Sequence, residues 1–278
     1  MTFNSGTLGG VITFSSLTLT FVPNSGNNGV QSVTIAASTA QLNLGGGVTS
    51  SVGSISNLSY NLSTHAFSMT LNTVGISFSS FLNLSATTVT LNYTGSTQTA
   101  ATIDVLSSDG KSITTATASV TTLTLGITGG SIFAGVNGPT STSPNAQGLS
   151  ISGVNMALAL LYDNTGNTFY SSSADSYAGD SFYAFQLSGG TNLKAVGLPN
   201  GFAFNASNLT ANLNGSINSS GTSESNAFWL DFSTTYSSTS GLQVGGIALD
   251  YSKSVFQVGA AVTFNFDGFI YVNGTFTF

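Results

Sequence analysis

The sequence predicts an all-β protein, an elongated stack of hairpins resembling a β-solenoid or a continuous two-sheet stack, with an antiparallel β-sandwich pair as the alternative. Three observations carry this expectation. Apolar residues alternate with polar ones at period two along almost the whole chain, turn chemistry recurs between the alternating runs, and one segment is written twice, about 190 residues apart. Helical spacing is absent, and β-branched and aromatic residues fill the apolar positions, where a pleated surface packs them best.

Taken in order, Val11 and Thr13 lead into Leu17, Leu19 and Phe21, and Asn24 to Gly29 supplies the first turn. Val33 and Ile35, then Leu42 and Leu44, continue the alternation up to Gly45-Gly46-Gly47. Leu58, Tyr60 and Leu62 precede a turn holding His65, and Phe67, Met69 and Leu71 follow it. Val89, Leu91 and Tyr93 form the next strand. Asp109-Gly110, between Ile103-Asp104-Val105-Leu106 and Lys111-Ser112-Ile113, predicts a hairpin, since Asp-Gly accepts positive φ at both central positions. Leu123, Leu125 and Ile127 precede a loop with two of the four prolines, Pro139 and Pro144. Strand pattern resumes at Leu149-Ser150-Ile151 and through Met156 to Tyr162. Turns follow at Asp163 to Asn167, Gly189-Gly190 and Pro199-Asn200-Gly201, with an Asn/Ser/Gly-rich loop from Asn214 to Ser225. Phe228, Leu230 and Phe232 alternate as one buried face with Trp229 opposite, and the chain closes with Ile247, Leu249, Tyr251 and the run Phe256, Val258, Ala260, Val262, Phe264, Phe266. The organisation expected is an N-terminal β-stack over 1–135, a Pro/Ser/Thr loop over 136–148 and a C-terminal β-stack over 149–278 continuous with the first.

The doubled segment sharpens the architecture. Phe67-Ser68-Met69 matches Phe256-Gln257-Val258, and Ile76 to Ala86 matches Phe264 to Gly274, with one residue inserted between the two halves. Leu58-Ser59-Tyr60 before the first copy is paired with Leu249-Asp250-Tyr251 before the second, as equivalent hairpin arms. The second copy stops where the first continues into Asn92-Tyr93-Thr94. A chain cut out of register from a repeating array points to head-to-tail continuation, because repeats bury their faces against neighbours.

Composition removes several classes of function. Of 278 residues 41% are apolar but only 4% charged, so a substantial core is available and solubility rests on hydroxyls and amides. Three Lys+Arg against nine Asp+Glu leave no basic footprint for nucleic acid. The absence of cysteine excludes disulfides, thiol catalysis and Cys-ligated metals. With His65 the single histidine and the acids scattered singly, neither a triad nor a metal centre is expected, and no cofactor. Asp175 and Asp180, near Tyr170, Tyr177 and Tyr183, are better read as a solvated loop than as a glycosidase pair. No apolar run reaches the ~20 residues of a membrane helix, so no membrane insertion is expected. The start lacks a secretory signal pattern, so export would use another route or a signal already removed.

Ser131-Ile132-Phe133-Ala134-Gly135-Val136-Asn137-Gly138-Pro139 is followed by Gly148-Leu149-Ser150-Ile151-Ser152-Gly153-Val154-Asn155-Met156-Ala157-Leu158-Ala159-Leu160. Later come Phe182 to Gly190, Val196 to Pro199, and Gly268-Phe269-Ile270-Tyr271-Val272-Asn273-Gly274-Thr275-Phe276-Thr277-Phe278. In that order these motifs resemble the β-rich tandem repeat unit of very large bacterial exported surface proteins. The resemblance implies a structural or adhesive role at the cell surface or outside the cell. It departs at Thr140-Ser141-Thr142-Ser143, where those units often carry an acidic insert, so no metal is implied.

The function expected is therefore a non-enzymatic extracellular structural subunit that self-assembles head to tail into a filament or surface layer. Its partners would be copies of itself, through Val11, Leu17, Leu19 and Phe21 at one end and Tyr271, Phe276 and Phe278 at the other. The alternative is a surface adhesin or carbohydrate-binding module that touches glycans through Trp229 and Tyr177. Ice binding by threonine rows such as Thr18, Thr20 and Thr87, Thr88, Thr90 is a weaker third.

Overall fold

The computed structural model describes residues 2–8, 12–23, 30–42, 48–78, 82–95, 99–106, 113–137, 145–163, 181–197, 202–217, 228–236, 240–266 and 270–277. Alternation becomes strand as expected. The chain forms β1 (Thr2–Leu8), β2 (Ile12–Pro23), β3 (Val30–Leu42), β4 (Val48–Asn61), β5 (Phe67–Phe78), β6 (Leu82–Tyr93), β7 (Thr99–Leu106), β8 (Ile113–Val136), β9 (Gln147–Asp163), β10 (Ser181–Val196) and β11 (Phe202–Ile217). Short elements follow: β12 (Phe228–Leu230), the single turn of helix α1 (Phe232–Thr235), β13 (Leu242–Val244) and β14 (Ile247–Leu249), before β15 (Val255–Phe266) and β16 (Ile270–Thr277).

The main sheet has 14 strands, and its path runs β1-β2-β3-β4-β5-β6-β8-β9-β10-β11-β15-β16, with β7 branching off β8 and β12 off β7. Every described pairing in it is antiparallel. The all-β expectation holds, but the form is a meander in which neighbours in sequence become neighbours in space, where coiled solenoid rungs would stack in parallel. The 136–148 segment does not divide the sheet, since β8 and β9 pair as far as Val136 opposite Gln147.

Registration sorts the alternating residues onto two faces. One cross-strand row reads Ile55, Leu71, Val89, Ile127, Met156, Leu187, Ala211, Val258, apolar in all eight strands it crosses. A row on the opposite face reads Ser59, Ser68, Asn92, Thr124, Ala159, Ala184, Asn214. The second face is thus hydroxyl and amide over β4–β8 and turns to alanine at β9 and β10.

That change marks where the core switches sides. Over β4–β6 the apolar face is buried in a cluster of Val52, Ile55, Leu58, Met69, Leu71, Val74, Ala86 and Val89, with Leu19, Leu91, Leu125 and Ile127 packed against it. Over β7–β10 the opposite face is buried instead: Ala101, Ile103, Ala118, Val120, Ala157, Ala159, Leu161, Phe182 and Ala184 lie beneath Leu230, Phe232, Val244 and Leu249. The covering residues come from β12, α1, β13 and β14, which together form a cap. Alanines at β9 and β10 let it approach closely. Gly126 and Gly245 mark the tightest contact, where a Cβ on Gly126 would stand 2.6 Å from the Gly245 Cα.

A crease also crosses the sheet. Thr73, Gly129, Gly153, Gly189 and Asn208, on β5, β8, β9, β10 and β11, all have positive φ, between 52° and 94°. They lie at one level: Gly53 on β4 faces Thr73, Gly129 faces Thr87 on β6, and a Cβ on Gly189 would meet the Gly153 carbonyl oxygen at 2.4 Å. At this level the alternation slips by one residue, so that buried Leu71 is followed by buried Val74 rather than by Thr73. The first core takes residues from both sides of the crease.

Two sequence expectations need correction here. Leu249-Asp250-Tyr251 is not a hairpin arm equivalent to Leu58-Ser59-Tyr60. The latter lies in β4 beside β5, whereas Leu249 is fully buried in the cap and the partner of β15 is β11. Phe232 does not extend the strand of Phe228 and Leu230. Asp231 turns the chain into α1 by accepting from the Thr234 backbone N–H at 2.9 Å, an N-cap that a period-two reading passes over.

Candidate functional site

The sheet path has two ends, β1 and β16, and no described strand pairs with the outer side of either. Each presents a row of backbone donors and acceptors, the usual template for strand addition. Natural sheets blunt such edges with lysine, proline or inward charges. Thr2–Leu8 and Ile270–Thr277 contain none of these.

The doubled segment gives the edge its context. Its first copy is the hairpin β5–β6 and its second is the hairpin β15–β16. The outer side of β6 is taken by β8, from Leu82 opposite Ala134 to Tyr93 opposite Leu123, while no described strand pairs with the matching side of β16. Burial also differs between the copies, because the described pairing of β16 with β15 runs from Ile270 opposite Phe266 to Thr277 opposite Gly259 and leaves Phe256 and Val258 beyond it, whereas Phe67 and Met69 lie opposite Tyr93 and Leu91. Met69 is 6% exposed and its counterpart Val258 is 40% exposed; Phe67 is half-buried against Tyr93, and its counterpart Phe256 is 74% exposed. Leu160 and Tyr162 on β9 also stand exposed.

The residues expected at the interface are distributed unevenly. Val11 and Phe278 lie outside the described residues, as does Tyr177. Leu17, Leu19 and Phe21 belong to β2, which pairs with β1 on one side and β3 on the other, so their strand offers no free backbone. Leu19 packs against the first core, and Phe21 is exposed. Tyr271 and Phe276 do lie on the edge strand, opposite Asn265 and Ala260. The sequence reading passed over β1 and the exposed Phe256 and Val258. Their match to Phe67 and Met69 was the available signal, because an apolar unit repeated without its neighbours must show its face.

Trp229 is not a stacking platform for a sugar. Its ring is 4% exposed and its indole N–H donates to the Ser252 carbonyl oxygen at 3.2 Å, which fastens the cap. Other ties do the same. The Asn214 amide donates to the carbonyls of Leu230 at 3.1 Å and Lys253 at 2.9 Å, and the Tyr251 hydroxyl donates to the Phe185 carbonyl at 3.0 Å. Burial, with the charge of Asp250 adding, raises the Tyr251 hydroxyl well above its ordinary value.

The two acids of this region diverge. Burial pushes the Asp104 carboxyl up, against a hydrogen bond from the Thr115 hydroxyl, and the charge of Asp231 adds to the rise. Burial would also raise Asp231, but hydrogen bonds from Ser233 and Thr234, side chain and backbone, outweigh it and hold the carboxyl below the usual range. Asp231 is therefore a structural cap. His65 is an exposed turn residue at φ 58° whose Nδ1 lies 2.7 Å from the Tyr60 hydroxyl. Among the described residues no three His, Cys, Asp or Glu side chains gather to hold a metal, and no helix is long and apolar enough to cross a membrane. Comparison with protein families, curated proteins and solved structures returns no match for this chain.

Proposed function

We propose that the protein is a non-enzymatic extracellular structural subunit that adds to copies of itself through its open sheet edges, building a filament or surface layer. The observation that carries this reading is the doubled hairpin, covered by a further strand in its first copy and uncovered in its second. The low charge removes the usual defence against edge pairing. The resemblance to bacterial surface repeat units points the same way, with separate subunits taking the place of one long chain. Surface glycans belong to the alternative, an adhesin, which would use the uncharged Ser/Thr/Asn face of β4–β6.

Light scattering across a concentration series, with electron microscopy, tests the proposal. The wild type should grow into extended particles. Asn273→Lys/Thr275→Lys, which places charge at two exposed positions of β16, should keep its fold by circular dichroism and stay small. A wild type that is monomeric at every concentration defeats the reading, as does a double-lysine variant that assembles equally well.

A further inference from the structure

Resting on that reading, we infer that the joint is asymmetric: β16 of one copy pairs antiparallel with β1 of the next, and the apolar face passes across without changing sides. The path of the main sheet contains twelve strands, and each runs opposite to its neighbour. An even number makes β1 and β16 run in opposite directions. A following copy in the same orientation therefore brings its β1 antiparallel to the exposed side of β16, which is how β8 meets β6 in the first hairpin. An odd number would have forced a parallel joint or a reversed subunit.

The phase of the two edges agrees as well. On β16, Ile270, Val272 and Gly274 lie opposite Phe266, Phe264 and Val262, the apolar row set of β15. On β1, Gly6 and Leu8 lie opposite Phe14 and Ile12, and Phe14 leads through Ala40 to Val52 of the first core. Pairing even-numbered positions of β16 with Gly6 and Leu8 keeps this face continuous over that stretch, and a slip of one residue would put it on the polar side. Phe3, which leads through Leu17 and Ala37 to Ile55 of the same core, stands in the odd phase, so the joint needs a one-residue bulge near Asn4, of the kind by which β11 meets β15 between Ser207 and Thr210. The strands are also matched in length, 8 residues in β16 and 7 in β1, and neither carries a charge. A two-fold joint of β16 with β16 would close as a dimer and leave both β1 edges open, whereas the head-to-tail joint closes each internal edge and propagates.

The chain has no cysteine, so introduced thiols report without background. Cross-strand cysteines oxidise only when their Cα atoms lie within about 7 Å. Ser5→Cys/Thr275→Cys and Thr7→Cys/Thr275→Cys place both thiols in the same phase, and Gly6→Cys/Thr275→Cys places them in opposite phases. Oxidised under assembly conditions and run on a non-reducing gel, at least one in-phase pair should give a ladder of covalent oligomers, with the opposite-phase pair several-fold weaker. Dimer from Thr275→Cys alone, in yield equal to the ladder, would establish a two-fold joint instead. A disulfide within a single chain, read by mass spectrometry, would mean that the two edges close on each other, and an equal ladder from the Gly6 pair would break the phase argument. Assembly by light scattering with no ladder from either in-phase pair overturns the joint alone. A wild type that never assembles overturns the structural-subunit reading itself.

Discussion

The hairpins β5–β6 and β15–β16 are two writings of one sequence unit in different surroundings. In the first, strands flank both sides, Phe67 and Tyr93 bring their rings to 5.6 Å, and Met69 and Leu71 sit in a closed core. In the second, β11 flanks β15 along its length but the described pairing of β16 runs only to Thr277 opposite Gly259, and Phe256 and Val258, beyond it, face solvent. Equal side chains thus have unequal fates, and the difference lies in the neighbours. A strand's apolar face is a demand for cover, which the first hairpin finds within its own chain and the second does not.

The comparison predicts very different costs for matched substitutions. Met69→Ala removes a buried side chain and should cost about 3 kcal/mol in denaturant melts, the usual loss for a core truncation. Val258→Ala in dilute protein should change stability by less than about 0.5 kcal/mol, as exposed substitutions do. Equal losses at high dilution would show that the apolar face of β15 is already covered in the single subunit, and the contrast between the copies would collapse.

The crease offers a second contrast. From Phe67 to Ile76 the first copy takes nine steps (76 − 67), and from Phe256 to Phe264 the second takes eight (264 − 256), so the extra residue belongs to the first copy. It falls in the stretch where Thr73 adopts φ 52°. A β-branched residue there is strained by on the order of 1–2 kcal/mol. Thr73→Gly should therefore stabilise slightly, by about 0.5 kcal/mol after the entropy that glycine forfeits on folding. Ala261→Gly, at the corresponding level of the uncreased β15, should instead cost about 1 kcal/mol. Thermal melts of the two variants would separate the cases, and matching losses would mean that the φ at Thr73 stores no strain.

These contrasts show what the chain discloses before it folds. Alternation marked β5, β6, β9 and β15 because period two survives wherever one face is buried, and the inserted residue was visible as a gap in the match. That it was a crease was not visible: Thr73 is a poor residue for positive φ, and only alignment with Gly53, Gly129 and Gly153 across the sheet explains it. The cap was hidden for a related reason. Phe228, Leu230 and Phe232 read as another strand, and the turn into α1 depends on hydrogen bonds from Ser233 and Thr234 that periodicity does not carry. The edge was half legible, through Tyr271 and Phe276. Its opposite number was placed one strand too late, because β1 lacks the strong alternation of β2.

A third contrast concerns the strut that positions the second hairpin and that, among the described residues, has no counterpart at the first. The cap holds the chain just ahead of β15 through Asn214 and the Lys253 carbonyl, and Leu230, which meets the same amide, pairs with Ile103 beside Asp104. Asp104 has a raised folded pKa, so its favourable contribution is complete below the unfolded value near 3.8 and is lost as pH rises through the folded one. At neutral pH its charge opposes the cap. Asp104→Asn should then stabilise by about 0.5 kcal/mol at pH 7, a value set low because the site is partly solvated. The gain should fade as pH falls through the raised folded pKa of the wild-type carboxyl. Asp231 has the opposite sign: its stabilisation is present above the unfolded pKa and is lost as pH falls through its lowered folded value. Asp231→Ala should cost about 1 kcal/mol at pH 7 as a lost helix cap, and less in strong acid. Hydrogen exchange along β15 and β5 gives the decisive reading, since only β15 should respond to either change. Equal responses in both strands would mean that the cap steadies the whole sheet and that the second hairpin has no support of its own.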